Sequence, residues 1–86
     1  MYYVYVLENV NNNGELYIGY TTNVDRRIGE HNTGSGARYT KKKKWRLIYH
    51  EAYLNKQDAL GREKFLKGGS GRKYLKKQLV RYFNNS

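Results

Sequence analysis

The chain opens with a run of β-branched and aromatic residues and repeats this character after a turn. Residues 2–7 read Tyr-Tyr-Val-Tyr-Val-Leu, and Leu16-Tyr17-Ile18-Gly19 follows the turn sequence Asn11-Asn12-Asn13-Gly14. Two such runs around an Asn-Gly turn predict a β-hairpin. Because side chains alternate between the two faces of a strand, Tyr5 and Tyr17 converge if the register of the hairpin matches.

The next segment has the period of a helix. Thr21-Thr22-Asn23 supplies side-chain oxygens that can cap a helix, and apolar residues then recur four positions apart. The side facing the sheet would consist of Val24, Arg27, Ile28 and His31. A guanidinium and an imidazole therefore stand where an ordinary helix carries leucine, which makes Arg27 and His31 candidates for function. The alternatives are a surface arginine and a histidine whose charge interacts with the helix C-terminus.

An exposed loop and a third strand occupy the middle of the chain. Residues 32–36 form a Gly-rich turn, and the run Lys41 to Lys44 is too highly charged to be buried in a regular element. Trp45 to Tyr53 shows the mixed alternation of a strand. We therefore expect a basic loop followed by a third β-strand.

Two helices are predicted in the last third of the chain. Asn55, with Asp58 three residues later, indicates a helix N-terminus, and Gly68-Gly69 ends that helix. Ser70 is expected to cap a last helix. The apolar stripe of that helix recurs every four residues at Leu75, Leu79 and Phe83. Such a stripe would dock the C-terminus onto the rest of the protein.

These elements predict an α+β fold, a three-stranded antiparallel sheet flanked by helices in the order β-β-α-β-α-α. No repeat or linker interrupts them, so residues 1–86 are expected to form a single domain. A domain of this size has a thin core, and the ten tyrosines must supply much of its apolar area. A lone tyrosine is therefore weak evidence for catalysis.

Glu63 is a carboxylate on the inward side of the first of these two helices. It lies four residues after Ala59 and three before Leu66, so it should point toward the sheet. The same helix also permits an ordinary ion pair with Lys67, worth only a few tenths of a kcal/mol. From the residues alone, a functional carboxylate and a structural ion pair both remain open.

The charge balance indicates a polyanionic partner. The chain has 17 Lys and Arg against 7 Asp and Glu, a formal net charge of +10, and such an excess attracts nucleic acid. No apolar run approaches a membrane span. Cysteine is absent, so any metal must be held by oxygen or imidazole. The N-terminus reads as a strand rather than a signal peptide, and a cytoplasmic location is the expectation.

Basic residues outside the helical stripes are candidates for contacts with nucleic-acid phosphates. They are Arg38, Lys41, Lys42, Lys43, Lys44, Arg72 and Lys73. Contacts of this kind give an affinity that depends on salt and carries no sequence choice.

Five ordered blocks of the chain resemble the GIY-YIG nuclease family. They are Tyr3-Val4-Tyr5, Tyr17-Ile18-Gly19, the segment 23–31 with Arg27 and His31, Gly36-Ala37-Arg38-Tyr39-Thr40 and Ala59-Leu60-Gly61-Arg62-Glu63. Together they cover nearly the whole chain and are similar to the small stand-alone members and to the N-terminal nuclease domain found in excinuclease ABC. The first motif reads Tyr-Val-Tyr instead of Gly-Ile-Tyr. Tyr74-Leu75-Lys76 stands where many members carry an asparagine, whose role is either absent here or supplied by another residue.

The resemblance implies a DNA endonuclease that uses Mg²⁺ or Mn²⁺, with a context in DNA repair and a targeting partner; RNA stays open as a substrate. Glu63 would be the sole protein ligand of the metal, and Arg27 would hold the scissile phosphate. Tyr5 would be the general base, with His31 and Tyr17 adjusting the proton path. A phenol with an ordinary pKa of about 10 can do this only if nearby cations favour the phenolate.

Two other functions explain part of the pattern. A nucleic-acid-binding module on the same scaffold, without turnover, accounts for the charge, and so does a basic structural protein of a ribonucleoprotein. Neither accounts for the inward Arg27, His31 and Glu63. A pure binder has no use for an inward carboxylate that repels phosphate unless a metal intervenes, so the enzyme is the favoured prediction.

Overall fold

The computed structural model describes residues 1–36 and 38–84. Its strands are β1 (Tyr2–Asn9), β2 (Leu16–Thr21) and β3 (Trp45–Tyr53), which form one antiparallel sheet in the order β2-β1-β3. Its helices are α1 (Val24–Thr33), α2 (Lys56–Lys67), α3 (Gly69–Gln78) and α4 (Val80–Asn84), with a short 3₁₀ turn over Arg38–Thr40. The predicted α+β fold with a three-stranded antiparallel sheet is confirmed, and the chain adds a fourth helix to the expected order.

The register of the hairpin brings the two motif tyrosines onto one face. Tyr5 lies directly opposite Gly19, and Leu7 lies directly opposite Tyr17. Residues opposite each other in an antiparallel pair share a face, so Tyr5 and Tyr17 are diagonal neighbours. The expected convergence of the two side chains is therefore present.

The sheet is covered on both faces, and each face has its own core. One face packs against α1 through Tyr5, Leu7 and Trp45, with Tyr17, Ile28 and Leu47 around them. The other packs against α2 and α3 through Val4, Val6, Leu16, Ile18, Ala59, Leu66 and Leu75. β1 is the central strand and is buried on both faces from residue 4 to residue 9. This explains why its sequence is a nearly continuous apolar run.

A polar network joins the second face of the sheet to α2. Arg62 donates from Nε to Glu51 Oε1 at 2.9 Å and from Nη2 to Glu51 Oε2 at 3.0 Å. The hydroxyls of Tyr49 and Tyr53 donate to the same carboxylate, each at 2.6 Å. We call Tyr49, Glu51, Tyr53 and Arg62 the Glu51 cluster. Both carboxylate oxygens are thus satisfied from inside the protein.

The helix ends agree with the sequence at the first two helices. Asn23 caps α1 by accepting from the Arg26 amide, and Asn55 caps α2 by accepting from the amides of Gln57 and Asp58. α1 runs to Thr33, so it extends into the turn expected from residue 32, and Gly34 then ends it in the left-handed conformation (φ 85°).

The last helix differs from the prediction in two ways. Ser70 does not cap it, because α3 begins at Gly69 and the capping position is Gly68, which makes no side-chain cap bond. A Cβ at Gly71 would lie 2.0 Å from the Phe65 carbonyl oxygen, so the tight α2–α3 junction requires glycine there. The expected continuous helix also breaks at Leu79, where the backbone (φ −107°, ψ 29°) leaves the helical region and α4 begins as a separate turn.

The break at Leu79 lets the C-terminal segment follow the sheet. Leu79 and Phe83 pack on the second core, while the Tyr82 hydroxyl donates to the fully buried carboxylate of Glu8. None of the helices in the described ranges is long and apolar enough to cross a membrane.

Candidate active site

Tyr5 reaches the outer edge of the sheet because its neighbour on β2 has no side chain. A Cβ at Gly19 would lie 2.3 Å from the Tyr5 hydroxyl oxygen, so the phenol occupies the space above Gly19. β2 is an edge strand, and the hydroxyl therefore arrives at the margin where the layers on the two faces of the sheet meet. Gly19, the glycine of the second motif, thus leaves room for the side chain of Tyr5, the tyrosine of the first motif.

His31 is the centre of a buried hydrogen-bonded chain. Its Nε2 lies 2.8 Å from the Tyr5 hydroxyl and its Nδ1 lies 2.6 Å from Thr40 Oγ1. The imidazole is fully buried, and a Cβ at Gly36 would come within 2.6 Å of Nδ1. We call Tyr5, Arg27, His31 and Thr40 the Tyr5 cluster.

The protonation states in this cluster follow from burial and from Arg27. Burial, followed by the nearby Arg27 charge, lowers the pKa of His31 from 6.5, so the imidazole is neutral at pH 7. Burial also raises the pKa of Tyr5 to about 12, although a hydrogen bond with Arg27 and its charge pull the pKa down. The positive charge beside Tyr5 is therefore not enough to keep the side chain ionised at neutral pH, and the phenol keeps its proton.

The two nitrogens of a neutral imidazole have opposite hydrogen-bonding roles, and the contacts of 2.8 Å and 2.6 Å admit either tautomer of His31. In the tautomer protonated at Nδ1, His31 donates to Thr40 Oγ1 and Tyr5 donates to Nε2. This arrangement leaves a neutral imidazole nitrogen as the acceptor of the Tyr5 proton. The cluster can therefore pass a proton from Tyr5 to His31.

Arg27 lies beside this chain and is partly exposed. Its Nη1 donates to Glu30 Oε1 at 2.9 Å, and 30% of its side chain is accessible to solvent. The bond to Glu30, and then that to Tyr5, raises the pKa of Arg27, so the guanidinium is always charged. The expected inward stripe is present: His31 is buried, and Val24, Arg27 and Ile28 are half-buried.

Tyr17 fills the space between the cluster and the surface. Its ring centroid lies 4.9 Å from that of His31, 6.4 Å from that of Tyr5 and 6.1 Å from that of Tyr39. These ring contacts place Tyr17 next to the proton path. Tyr17 therefore packs against the Tyr5 and His31 rings and helps to hold them in position.

Glu63 approaches the cluster from α2, on the other side of the sheet. Its charge is near enough to contribute to the raised pKa of Tyr5. It also forms the ion pair that the sequence allowed, with Lys67 Nζ 3.1 Å from Glu63 Oε2, and 20% of its side chain is exposed. The structure thus brings Tyr5, Tyr17, Arg27 and His31 into contact and sets Glu63 at their margin.

The donors around Glu63 suit a hard cation that keeps most of its water. The described part of the chain has no cluster of three or more His, Asp or Glu side chains able to hold a metal. A single carboxylate with solvent access is a sparse set of protein ligands for a metal ion. Mg²⁺ and Mn²⁺ accept such a set because they keep several water ligands, whereas a calcium site normally needs more oxygen ligands from the protein. The residues present therefore fit a hydrated divalent ion on Glu63.

The candidate phosphate-binding residues divide between two surfaces. One is a cavity of about 410 Å³ lined by Asn32, Thr33, Gly34 and the loop Lys41 to Lys44. The other is a groove of about 310 Å³ along the β2 edge, to which Arg72 contributes. Arg38 and Lys73 are exposed. Lys43 differs from its neighbours because its Nζ donates to Glu15 Oε2 at 2.7 Å, so much of its charge is already compensated.

Sequence reasoning missed the residues that support the site. Thr40 fixes the His31 ring, Glu30 holds Arg27, and Gly19 and Gly36 leave room for the two rings. Glu30 could have been found, because it lies three residues after Arg27 on the same helix. The contact between His31 and Thr40 crosses a loop, and no periodicity in the sequence indicates it.

Comparisons with known proteins identify the family of the chain. A family model described as the GIY-YIG catalytic domain matches residues 1–77. A UPF0213 protein of Streptococcus agalactiae is 48% identical over 66 residues, covering 76% of this chain and 73% of its own. A UPF0213 protein of Staphylococcus haemolyticus is 43% identical over 76 residues, covering 87% of this chain and 90% of its own.

A solved structure supports the same assignment. The solution NMR structure of a UPF0213 protein from Bacillus halodurans has a TM-score of 0.53 and 44% sequence identity, covering 95% of this chain and 85% of that one. The family match spans both motif strands and the helices that carry Arg27, His31 and Glu63. The chain belongs to the GIY-YIG catalytic domain family.

Proposed function

We propose that this protein is a metal-dependent endonuclease that hydrolyses DNA phosphodiester bonds. Its catalytic residues are Tyr5, Tyr17, Arg27, His31 and Glu63. The observation that carries the proposal is the buried hydrogen bond of 2.8 Å between Tyr5 and His31, beside a permanently charged arginine. A protein that only bound DNA would have no need for a neutral imidazole aligned to accept a phenol proton.

In the first step, water is activated by proton transfer through Tyr5 to His31, and Tyr5 is not ionised beforehand. Because the pKa of Tyr5 is raised to about 12 and that of His31 is lowered, the resting pair is phenol and neutral imidazole. As water gives its proton to the Tyr5 oxygen, Tyr5 gives its own proton to His31 Nε2. The water oxygen attacks phosphorus, and the phosphodiester bond to the leaving oxygen breaks.

Arg27 supports this step by holding the phosphate. A guanidinium presents a planar fork of donors that matches two phosphoryl oxygens, and its charge opposes the negative charge that grows on them. Glu30 keeps the fork in place through the 2.9 Å bond, while solvent still reaches part of the side chain. Lysine lacks this geometry, so Arg27 is not replaceable by charge alone.

Glu63 is the residue that would hold Mg²⁺ or Mn²⁺. When bound, a divalent ion supplies positive charge to the phosphate and to the leaving oxygen. Glu63 must first leave its ion pair with Lys67, a pair that is partly exposed and weak. Lys67 is then released at the same edge of the sheet, where it can meet a DNA phosphate.

The wider setting follows from charge and from the family. Exposed cations in the Lys41 to Lys44 loop, with Arg38, Arg72 and Lys73, would bind the DNA backbone without reading its sequence. A partner that directs the nuclease to its target, a cytoplasmic location and a role in DNA repair all stay predictions, as does the single-domain organisation of residues 1–86.

A second candidate is a nucleic-acid-binding module with little or no turnover. The observation that favours it is the 3.1 Å ion pair between Glu63 and Lys67, which neutralises the carboxylate that a metal would need. Under this alternative, the Tyr5 cluster only stabilises the DNA-binding surface, and the bound DNA is released without being cut.

Cleavage with and without a divalent ion separates the two candidates. Supercoiled, branched and single-stranded DNA, and RNA, are incubated with the intact protein, with Glu63→Gln and with Asp58→Asn. Asp58 is an exposed carboxylate on the same helix and serves as the control. We expect Mg²⁺-dependent cutting by the intact protein and by Asp58→Asn, and none by Glu63→Gln. Equal cutting by Glu63→Gln refutes the nuclease proposal, and binding without cutting by the intact protein supports the second candidate.

A further inference from the structure

A groove beside the candidate active site combines an aromatic wall with two cations. It has a volume of about 310 Å³ and is lined by Leu16, Tyr17, Ile18, Tyr39, Lys67 and Arg72. It runs along β2, the open edge of the sheet, and Tyr17, which packs against the buried Tyr5 ring, forms part of its wall. Its volume is at the lower end of the roughly 300–1,000 Å³ of ligand pockets, which is room for one small planar ligand.

Tyr39 is the exposed member of this wall and is held firmly. Its ring is nearly parallel to that of Tyr17, with 20° between the planes and 6.1 Å between centroids. Its hydroxyl donates to Glu15 Oε2 at 2.6 Å, and Lys43 Nζ lies 4.2 Å from its ring centroid. The Trp45 ring packs against it at 6.1 Å between centroids. The side chain is nevertheless 52% exposed.

These contacts order the exposed ring, and a base that stacks on it would displace the Lys43 ammonium from the ring face that it covers. The hydroxyl bond to Glu15 raises the pKa of Tyr39, so the ring stays neutral at physiological pH. Because the ring is already ordered, a ligand that stacks on it loses little free energy to immobilising the side chain. An ordinary surface tyrosine would lose more rotamer freedom on binding.

The cations of the groove complement the aromatic wall. Arg72 is close enough for its charge to act on Tyr39, and Lys67 lies one helical turn beyond Glu63. A nucleotide has the matching chemistry, since it joins a flat apolar base to an anionic phosphate. Base stacking on aromatic side chains is also the usual way in which proteins hold single strands.

We propose that Tyr39 is the stacking residue for one nucleobase next to the scissile phosphate, with Arg72 contacting the phosphate of that nucleotide. This inference rests on the proposed function, because it places the base relative to the bond that is cut. A base paired within a duplex cannot lie against the ring. The site therefore takes a nucleotide that is unpaired or has left the helix, whatever its sequence.

Binding is measured first, because it needs no turnover. Short single-stranded DNA carries a fluorescent purine analogue at successive positions, and its quenching is followed with intact protein, Tyr39→Leu and Tyr39→Phe. Removal of one stacking ring should weaken binding by about 5- to 150-fold in Tyr39→Leu. Tyr39→Phe keeps the ring and loses only the hydroxyl bond to Glu15, so it should retain most of the affinity that Tyr39→Leu loses. Quenching should occur at one position and vanish in Tyr39→Leu.

Cleavage then locates the base relative to the cut. Oligonucleotides with a single abasic position are compared, and one position adjacent to the cleaved bond should reduce cutting by the intact protein. Tyr39→Leu should cut that abasic substrate and its intact counterpart equally well. Unchanged affinity and quenching in a folded Tyr39→Leu overturn the inference. An intact protein that quenches the analogue and cuts nothing refutes the proposed function and supports the stacking site.

Discussion

The two faces of the sheet each carry a polar cluster built around tyrosine, buried at Tyr5 and half-buried at Glu51, and the two clusters differ in what surrounds the hydroxyl. In the Glu51 cluster the phenols of Tyr49 and Tyr53 donate to a carboxylate that Arg62 also binds through two nitrogens. In the Tyr5 cluster the phenol meets a neutral imidazole and a partly exposed arginine. The pKa of all three tyrosines is raised to about 12.

The three tyrosines share a similar raised pKa, but the causes of the shift differ between the two clusters. Burial raises the pKa in each case, but the carboxylate of Glu51 raises it further for Tyr49 and Tyr53, whereas Arg27 opposes the rise for Tyr5. An anion beside a phenol prevents its ionisation, and a cation beside it assists. Arg62 also lowers the pKa of Tyr49 and Tyr53, so the two clusters differ mainly in the group beside the phenol, which is a carboxylate already paired with arginine in one cluster and a neutral imidazole in the other. We therefore expect a structural role for the Glu51 cluster and propose proton transfer for the Tyr5 cluster.

The largest expected effect is on catalysis when Arg27 is removed. Arg27→Ala should lower kcat for DNA cleavage by about 10²–10³, because the phosphate loses a charged donor in the transition state. Arg27→Lys should recover little of this loss. Arg26→Ala is the control, since that side chain is 61% exposed on the same helix. A similar loss of kcat in both alanine variants would show that general charge, and not the Tyr5 cluster, governs the rate.

Next in size is the effect of filling the space under Tyr5. In Gly19→Ala the new Cβ would lie 2.3 Å from the Tyr5 oxygen, so the phenol must move away from His31. Misplacement on this scale should lower kcat by about 10². Gly29→Ala, where no atom lies within 4 Å, should keep kcat and stabilise α1 by up to about 1 kcal/mol. An unchanged kcat in Gly19→Ala would refute the proton path through Tyr5.

The Glu51 cluster should respond in stability instead of rate. Arg62→Met leaves the Glu51 carboxylate half-buried without its charged partner, and we expect a loss of about 2 kcal/mol in the free energy of unfolding in urea. The kcat measured well below the unfolding midpoint should hardly change. Lys64→Met, on an exposed position of the same helix, is the control. A fall in kcat without a loss of stability would contradict the division between the clusters.

Acid should affect the two clusters over different ranges of pH. His31 has a pKa below its ordinary 6.5, so its contribution to stability is present above pH 6.5 and is lost as the pH falls through the lowered pKa. Cleavage should fall with it, because a protonated imidazole cannot accept from Tyr5. A pH–rate profile without an acidic limb would contradict this role for His31.

The contribution of Glu51 to the stability of the fold should persist to a lower pH than that of His31. Burial alone would raise its pKa, but the bonds from Arg62, Tyr49 and Tyr53 outweigh burial and bring the pKa to about 2. Its contribution is present above the ordinary 4.5 and is lost as the pH falls toward 2. Urea unfolding of intact protein and of Glu51→Gln between these limits should converge as the pH falls.

The smallest effect is expected from charged residues that belong to neither cluster. Replacing Lys41, Lys42 and Lys44 together by glutamine should weaken DNA binding mainly at moderate salt. The slope of log K against log salt should fall by about 0.7–0.9 for each phosphate that the variant no longer neutralises. The kcat at saturating DNA should stay as it was, and a change confined to kcat would contradict a role in binding.

Much of the fold was readable in the sequence because local patterns specify it. The three strands and the caps Asn23 and Asn55 are where the pattern of residues predicts them. The prediction of a cap at Ser70 was wrong, because the close contact at Gly71 decides where α3 begins and a serine at a cap is only an average preference. The break at Leu79 was equally invisible, since its apolar spacing is that of a continuous helix.

The candidate site was readable only in part. The helical stripe indicated Arg27 and His31, and alternation predicted that Tyr5 and Tyr17 converge, because these periods are local properties of the chain. Only the resemblance to the family gave the two tyrosines a role. The contacts from His31 to Thr40 and from Tyr5 across Gly19 depend on how distant segments pack. Their support of the site could not be derived from spacing.

By itself, the sequence determined the class of fold, the basic charge and the residue types on which the proposed phosphodiester chemistry depends. The tertiary structure decided which tyrosine hydroxyl meets an imidazole and which meets a carboxylate. A strand period assigns a side chain to a face, but burial and the neighbouring charge set its pKa. Both depend on residues far away in the chain, and this is why only the folded protein shows how the surroundings of the Tyr5 hydroxyl differ from those of Tyr49 and Tyr53.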